Sequence, residues 1–205
     1  MPDLSGGPNI EKAIQWVKRN TLHGKGVAFS TNNRAISKVS TARLIPSLIA
    51  NGEEALAVQY AAWLQEEQYP DGSFEFENEF FDSLICTCQV IEAWLEIAPG
   101  MPQLVPPLEK SKNWLAGRLQ ENGNKESELI QAACAACLKK VSSCLKDQPV
   151  HALAEESYQG LVHGFQSDPF YGTAKTFEEH LLRLNYLFDL GHYKECRAGL
   201  QSPSP

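Results

Sequence analysis

An aromatic residue recurs every 44 to 51 residues, and this period constrains the fold more than any other feature of the sequence. The aromatic anchors are Trp16, Trp63, Trp114 and Tyr158. A glycine follows each of the three tryptophan anchors at eight or nine residues, as expected where a helix ends. A period of this length with two helices in each unit is typical of a stacked array of helical hairpins.

Apolar periodicity predicts eight helices of alternating character. Their bounds are 10–20, 40–50, 53–68, 82–97, 106–122, 127–145, 150–165 and 177–190, with a loop over 27–37. The odd-numbered helices are amphipathic and the even-numbered ones are apolar almost all round, as expected for an outer and an inner layer. We therefore predict an all-α fold of about four helical hairpins in an α/α-toroid arrangement. In this prediction residues 1–200 form one domain, and 201–205 are a disordered tail.

Charge and apolar pattern argue against two classes of partner. The 205-residue chain carries a formal net charge of −7, and no basic run exceeds Lys139-Lys140, so nucleic acid is not an expected partner. No stretch approaches the roughly 20 apolar residues of a membrane span, and the first ten residues do not resemble a signal peptide. We expect a cytoplasmic protein whose six cysteines are reduced thiols.

No metal or cofactor is predicted from the available ligands. Cys134 and Cys137 have CxxC spacing, but they lie among alanines in the middle of a predicted helix, which favours small-residue packing. The five histidines are scattered, and no HExxH motif is present. The acidic residues around Asp71 lack the spacing of a calcium loop, so a solvated loop is the favoured interpretation.

A seven-residue turn with the sequence QYPDGSF, residues 68–74, closes the third predicted helix. It resembles the QxxDGSW/F motif of the α/α-toroid superfamily of terpene cyclases and protein prenyltransferases. In that superfamily the Gln and Asp-Gly positions, here Gln68, Asp71 and Gly72, tie one helix end to the next by hydrogen bonds. The resemblance implies a structural role for this turn. We therefore expect the functional residues at the opposite ends of the inner helices, taken to be their starts.

The wider sequence is similar to the helical-barrel domains of polysaccharide-active proteins, including the uronyl C5-epimerase type. This resemblance covers about residues 38–120 and depends on VSTARLIPSL at 39–48, WLQEEQYPDGSF at 63–74 and TCQV at 87–90. Arg43 stands where a Tyr is usual, and Cys86 stands where an acid is expected. The DxDD motif of squalene-hopene-type cyclases is absent, and the zinc ligands of protein prenyltransferases cannot be placed. Closed toroids of this superfamily have more than four hairpins, so an open arc, a compact variant and half of an assembly all stay open.

The starts of the inner helices of a toroid converge on a central cavity, and the polar residues there form the candidate site. The candidate substrate-binding residues are Arg34, Lys38, Arg43, Asp82 and Asp168. His180 and Tyr171 are the candidates for shuttling a proton. The same residues are also consistent with surface loops of a helical array that binds no small ligand.

Three functions stay open from the sequence. The first is a toroid-type protein of polysaccharide biosynthesis or modification that binds a glycan, including a uronate-bearing one, with Arg34 and Arg43 pairing carboxylates. No catalytic motif is recognisable, and an enzyme of this kind would have epimerase- or lyase-like activity. The second is a non-catalytic helical-repeat scaffold that binds a protein partner or forms a homo-oligomer. The third is an isoprenoid-processing enzyme, whose catalytic acid is missing.

Overall fold

A computed structural model describes residues 9–28, 35–75, 83–122 and 128–167. Within these ranges the chain forms seven α-helices, one two-stranded hairpin and two short 3-10 helices, Ala98–Gly100 and Pro102–Leu104. The elements are α1 (Ile10–Asn20), β1 (Thr21–Leu22), β2 (Gly26–Val27), α2 (Lys38–Ala50), α3 (Glu54–Glu66), α4 (Ser83–Ile97), α5 (Val105–Asn122), α6 (Glu128–Leu145) and α7 (Gln148–Ser167). The all-α prediction is confirmed for the described residues, which are mostly helical. The helix predicted over 177–190 lies outside the described residues.

Short polar side chains cap three of the helices. The Asn9 carboxamide accepts a hydrogen bond of 2.9 Å from the Lys12 amide at the start of α1, and the Ser37 hydroxyl accepts one of 3.0 Å from the Ser40 amide. Asp147 does the same for α7. Each side chain satisfies an amide that has no partner within its helix. Because Ser37 is the cap, α2 begins two residues before its predicted start.

The short hairpin was not predicted. Thr21 pairs with Val27 and Leu22 with Gly26 in antiparallel register, so a β-pair lies between α1 and α2. His23 and Gly24 carry the turn in the left-handed region, with φ of 53° and 69°. The hairpin is held against α2 because the Val27 amide donates to the Thr41 hydroxyl over 3.1 Å. Two residues per strand are too few for alternation to be visible in the sequence.

The helices pack in two layers. Inner helices α2, α4 and α6 form a row in which each contacts the next. Outer helix α3 contacts both α2 and α4, α5 contacts both α4 and α6, and α7 packs on α6. The core between the layers includes the fully buried side chains of Trp94, Tyr60 and Phe74. Burial follows the predicted alternation only in part, since nine residues of α4 and only Val17 of α1 are buried, but α2 and α3 bury five residues each.

Neighbouring inner helices meet in a constant register. Arg43 of α2 contacts Gln89 of α4, and Cys88 of α4 contacts Cys134 of α6. Both pairs are 46 residues apart in the chain. The two junctions of the described inner row therefore share a spacing that lies within the range of 44 to 51 residues seen between the aromatic anchors.

Two of the connections from an inner to an outer helix share one backbone geometry. After α2, the Glu53 amide donates to the Leu48 carbonyl over 2.9 Å, and Gly52 has φ +76°. After α6, the Asp147 amide donates to the Ser142 carbonyl over 2.8 Å, and Lys146 has φ +57°. Both are Schellman motifs, in which a left-handed residue lets the chain cap the helix it leaves.

The aromatic anchors do not share one environment. Trp63 and Tyr158 are buried and Trp114 is half-buried, but the side chain of Trp16 is 50% exposed. Because α1 lies at the edge of the described array, fewer neighbours cover its side chains. The period in the sequence marks equivalent positions along the chain, but it does not guarantee equivalent burial.

Candidate functional site

The turn at 68–74 is a compact, internally hydrogen-bonded unit after α3. The Gly72 amide donates to the Tyr69 carbonyl over 2.9 Å, and Gly72 has φ +98°. The Asp71 carboxylate accepts hydrogen bonds from the Ser73 hydroxyl at 2.7 Å and from the Ser73 amide at 3.0 Å. These two bonds to Ser73 hold the pKa of Asp71 below its ordinary value. The turn therefore holds the charged carboxylate of Asp71 by hydrogen bonds from within the turn itself.

The same turn connects α3 to α5. The Gln68 side-chain amide donates to the Pro107 carbonyl over 2.9 Å and to the Ser111 hydroxyl over 2.8 Å. The Ser111 hydroxyl in turn donates to the Gly72 carbonyl over 2.6 Å. An outer helix end is thereby joined to the next outer helix. A side chain at position 72 would meet the backbone of α5, since a Cβ there would lie 2.7 Å from the Ser111 amide nitrogen.

The turn lies at the end of the array where α4 starts. The Phe74 amide donates to the Thr87 hydroxyl in the second turn of α4 over 3.2 Å, and the Phe74 ring packs edge-on against Trp94 at 5.7 Å. The expectation that the turn and the inner-helix starts occupy opposite ends is therefore wrong. A chain that leaves an outer helix must enter the next inner helix from that same end.

Lys38 belongs to this end of the molecule. It is the first residue of α2, and its ammonium lies 3.7 Å from the Glu75 carboxylate and 4.0 Å from that of Glu67. Its side chain is only 12% exposed. Lys38 thus links the start of an inner helix to the acidic residues that flank the turn.

Arg43 occupies a different position, on the partly exposed stripe of the inner row. Its Nε donates to Gln89 Oε1 over 2.7 Å, and Gln89 Nε2 donates to Glu92 over 3.2 Å. The Lys140 ammonium of α6 lies 3.3 Å from the same Glu92 carboxylate. We call this chain of four side chains, Arg43–Gln89–Glu92–Lys140, the inner-row ladder. It crosses all three inner helices and alternates groups that donate hydrogen bonds with groups that accept them.

Only part of the predicted site falls on described residues. Lys38 and Arg43 are described, and the contacts above assign them to separate clusters. The remaining predicted residues, which lie outside the described ranges, are Arg34, Asp82, Asp168, Tyr171 and His180. Gln89, Glu92 and Lys140 were not predicted as site residues. The spacing of the repeats could have indicated Gln89, because a step of 46 residues from Arg43 leads to it.

A group of buried thiols lies between α4 and α6. Cys88 Sγ is 4.0 Å from Cys134 Sγ, and Cys137 Sγ is 3.7 Å from the Cys88 carbonyl oxygen. Hydrogen bonds with the neighbouring thiols, together with burial, raise the pKa of Cys88 well above its ordinary value. Burial likewise raises the pKa of Cys137. Protonated thiols are weak nucleophiles and weak ligands, so this group packs the core.

The described ranges contain no group of three or more His, Cys, Asp or Glu residues arranged to hold a metal ion. They also contain no helix that is both long enough and apolar enough to cross a membrane. An open groove of about 250 Å³ lies between α1 and α2, with a mainly apolar lining.

Comparison with models of known protein families, with characterised proteins and with solved structures finds no match to this chain.

Proposed function

We propose that the chain is an arc of an α/α toroid whose inner row binds a glycan of polysaccharide biosynthesis or modification. Three observations support the toroid: the alternation of inner and outer helices, the constant register of the inner row, and the turn that joins α3 to α5. In a toroid the exposed side of the inner helices faces the concave surface, so the inner-row ladder would line the binding surface.

The inner-row ladder is the observation that carries the glycan proposal. Arg43 and Lys140 are cationic donors, Glu92 is an anionic acceptor, and Gln89 can both donate and accept. Sugar hydroxyls need donors and acceptors side by side, and a uronate carboxylate would pair with the Arg43 guanidinium. The ladder already holds these side chains in place through mutual hydrogen bonds, so less side-chain entropy is lost on binding.

The experiment is a binding titration of the full chain with neutral and uronate-bearing oligosaccharides. The Arg43→Ala variant is expected to weaken binding of the uronate oligosaccharide by about tenfold or more, as loss of a charge-assisted hydrogen bond does. Arg19→Ala is the matched control, because Arg19 is also exposed but lies on outer helix α1, where its Nε donates to the Gln15 carbonyl. An equal loss in both variants, or no binding of any oligosaccharide by the wild-type chain, overturns the proposal.

Catalysis remains a separate prediction that depends on residues outside the described ranges. If the chain is an enzyme, His180 and Tyr171 are the proton carriers of an epimerase- or lyase-like reaction. A chain with His180→Ala that binds the glycan as the wild type does but lacks turnover would support this assignment.

A second candidate function, a scaffold that binds a protein partner or a second copy, is favoured by the apolar groove at the edge of the array. Ile10, at the rim of this groove, is 52% exposed. Light scattering on the purified full chain distinguishes this candidate, since a glycan-binding monomer without partners would show one concentration-independent mass.

A further inference from the structure

The groove between α1 and α2 has two walls of the same construction. Each wall is a mainly apolar stripe of side chains at the spacing i, i+3, i+4 and i+7, so it follows one side of its helix for two turns, about 10 Å. The α1 stripe begins at Ile10 and ends at Val17. The α2 stripe begins at Leu44 and ends at Asn51, the C-cap. A ligand that contacts both walls along their length is therefore elongated.

The floor of the groove belongs to the hydrophobic core. Val17 and Leu48 are buried, whereas Ile10 at the rim is half exposed. The apolar side chains of the described lining are all aliphatic, and the groove holds about 250 Å³. An apolar cavity of about 150 Å³ is already large enough to bind benzene. This groove therefore has room for an aliphatic chain of several carbons.

Two polar contacts fix the end of α1 and so keep the groove open. The Lys18 ammonium lies 2.6 Å from the Glu53 carboxylate at the start of α3. Just after α1, the Thr21 and Tyr60 hydroxyls form a hydrogen bond of 2.7 Å. Helix α1 is thereby tied to α3 and not only to the hairpin that follows it. A site that is already formed costs less conformational freedom on binding than one that must first open.

The polar groups of the groove are neutral. The Asn9 carboxamide oxygen accepts a hydrogen bond from the Lys12 amide, so its nitrogen is left to donate to a ligand. The Asn51 carboxamide nitrogen donates to the Ser47 carbonyl over 2.7 Å, so its oxygen is left to accept. No charged residue is among the described residues of the lining. A hydroxyl group can use either asparagine, whereas a carboxylate would lie here without a counterion.

We propose that the groove between α1 and α2 binds a neutral aliphatic alcohol, with the alkyl chain along the floor and the hydroxyl at Asn9 or Asn51. The length of the walls and the aliphatic lining select the chain, and the neutral donor and acceptor select the hydroxyl. None of the four residues of the inner-row ladder lines the groove. This inference therefore goes beyond glycan binding and does not depend on it.

The test is calorimetric titration of the full chain with straight-chain primary alcohols of increasing length. Each added methylene should tighten binding about three- to fourfold until the groove is filled, after which the affinity should level off. Octanol should bind at least about tenfold more tightly than octanoate at pH 7, because the described lining offers a carboxylate no counterion. Equal affinities for octanol and octanoate, or no binding of any of these alcohols, overturn the proposal.

Ala13→Phe should weaken octanol binding at least about tenfold, because its ring occupies space that the alkyl chain needs. Ala13 is exposed, so circular dichroism should show an unchanged helix content. Gln15→Phe is the matched control, since it adds the same ring at an exposed position of α1 that does not line the groove, and it should bind octanol as the wild type does. Equal affinities of the two variants overturn the proposal, as does a groove that a second copy or another protein closes to octanol. Glycan titration of the Arg43 variant gives its answer separately in each case.

Discussion

At the scale of single residues, two positions with positive φ require glycine for different reasons. Gly52, with φ +76°, has no atom within 4 Å of where a Cβ would stand. Gly72, with φ +98°, would place a Cβ against the backbone of α5 at Lys110 and Ser111. The first position needs only a left-handed conformation, whereas the second also needs the absence of a side chain so that two segments can approach.

Alanine at each glycine separates these two requirements. Gly52→Ala should lower the free energy of unfolding by about 1 kcal/mol, the cost of a left-handed non-glycine residue. Gly72→Ala should cost well above about 2 kcal/mol, because the turn and α5 must also move apart. Urea unfolding of the two variants measures the difference. Equal losses would mean that the contact between the turn and α5 is easily displaced.

Lys112 and Asp147 form an ion pair that connects α5 to the start of α7. Lys112 is only 6% exposed, so its ammonium depends on this partner. The hydrogen bond from Lys112 is the main cause that lowers the pKa of Asp147, and the amide of Val150 adds to it. A carboxyl whose pKa is lowered by folding stabilises the folded state above its unfolded pKa, and that stabilisation is lost as the pH falls through the folded value.

The Asp147→Asn variant should therefore be less stable at pH 7, by about 1–3 kcal/mol, since it leaves a buried charge without a counterion. The difference from wild type should shrink as the pH falls below about 4, the ordinary value for an aspartate, because the unfolded chain is protonated there first. The folded carboxylate is protonated only at its lower pKa, where the difference is lost. Urea unfolding as a function of pH measures the stability difference at pH 7 and its decrease at lower pH. Glu155→Gln is the control, since its partner Lys139 is more exposed; a pH dependence as large in that variant would argue against the assignment.

At the scale of elements, the two Schellman connections place different residue types at the same left-handed backbone position. Gly52 after α2 and Lys146 after α6 are both left-handed, but only the glycine adopts this conformation without strain. The α6–α7 connection therefore contains strain that the α2–α3 connection avoids.

Lys146→Gly should raise the free energy of unfolding by about 0.5–1 kcal/mol, and Gly52→Lys should lower it by a similar amount or more. Thermal or urea unfolding of both variants provides the measurement. A destabilised Lys146→Gly variant would indicate that the lysine side chain makes a contact worth more than the backbone strain.

Most of the helices were predictable from the sequence because they bury a stripe or a whole surface, and burial leaves a period in the residues. Helices α3 to α6 begin and end within about two residues of their predicted bounds. The hairpin at 21–27 was not predictable, since it is held by its contact with Thr41 rather than by a local pattern. The start of α2 was predicted two residues late, because Ser37, which caps the helix, was assigned to the preceding loop.

The candidate site was less predictable than the fold. Arg43 was identified, but its ladder partners Gln89, Glu92 and Lys140 are ordinary surface residues in the sequence. Only the register of the packed helices brings them together. Lys38 was assigned to the same site as Arg43, whereas its contacts with Glu67 and Glu75 depend on the conformation of the turn after α3.

At the scale of the whole molecule, stability should be graded from the edge of the array to its centre. Helix α1 buries one residue, Val17, whereas α4 buries nine and contacts inner and outer helices on both sides. Edge contacts that hold α1 include the ion pair of Lys18 with Glu53 and the hydrogen bond between the Thr21 and Tyr60 hydroxyls. An element with fewer buried contacts opens at a lower free energy than the rest of the domain.

Native-state hydrogen exchange should therefore show opening free energies for the amides of α1 that lie at least about 2 kcal/mol below those of α4. The measurement is made at low protein concentration, so that self-association does not add to the protection of any helix. Uniform protection of the two helices at low concentration would contradict a graded array.

The register of the inner row also limits how the length of such a chain can change. Arg43 meets Gln89, and Cys88 meets Cys134, across the same 46-residue step. Duplication or loss of one whole hairpin returns every inner helix to an equivalent neighbour, whereas insertion of a single helix would exchange the inner and outer layers downstream of it. Viable relatives of this chain should therefore differ in length by whole units, with smaller insertions confined to the connections.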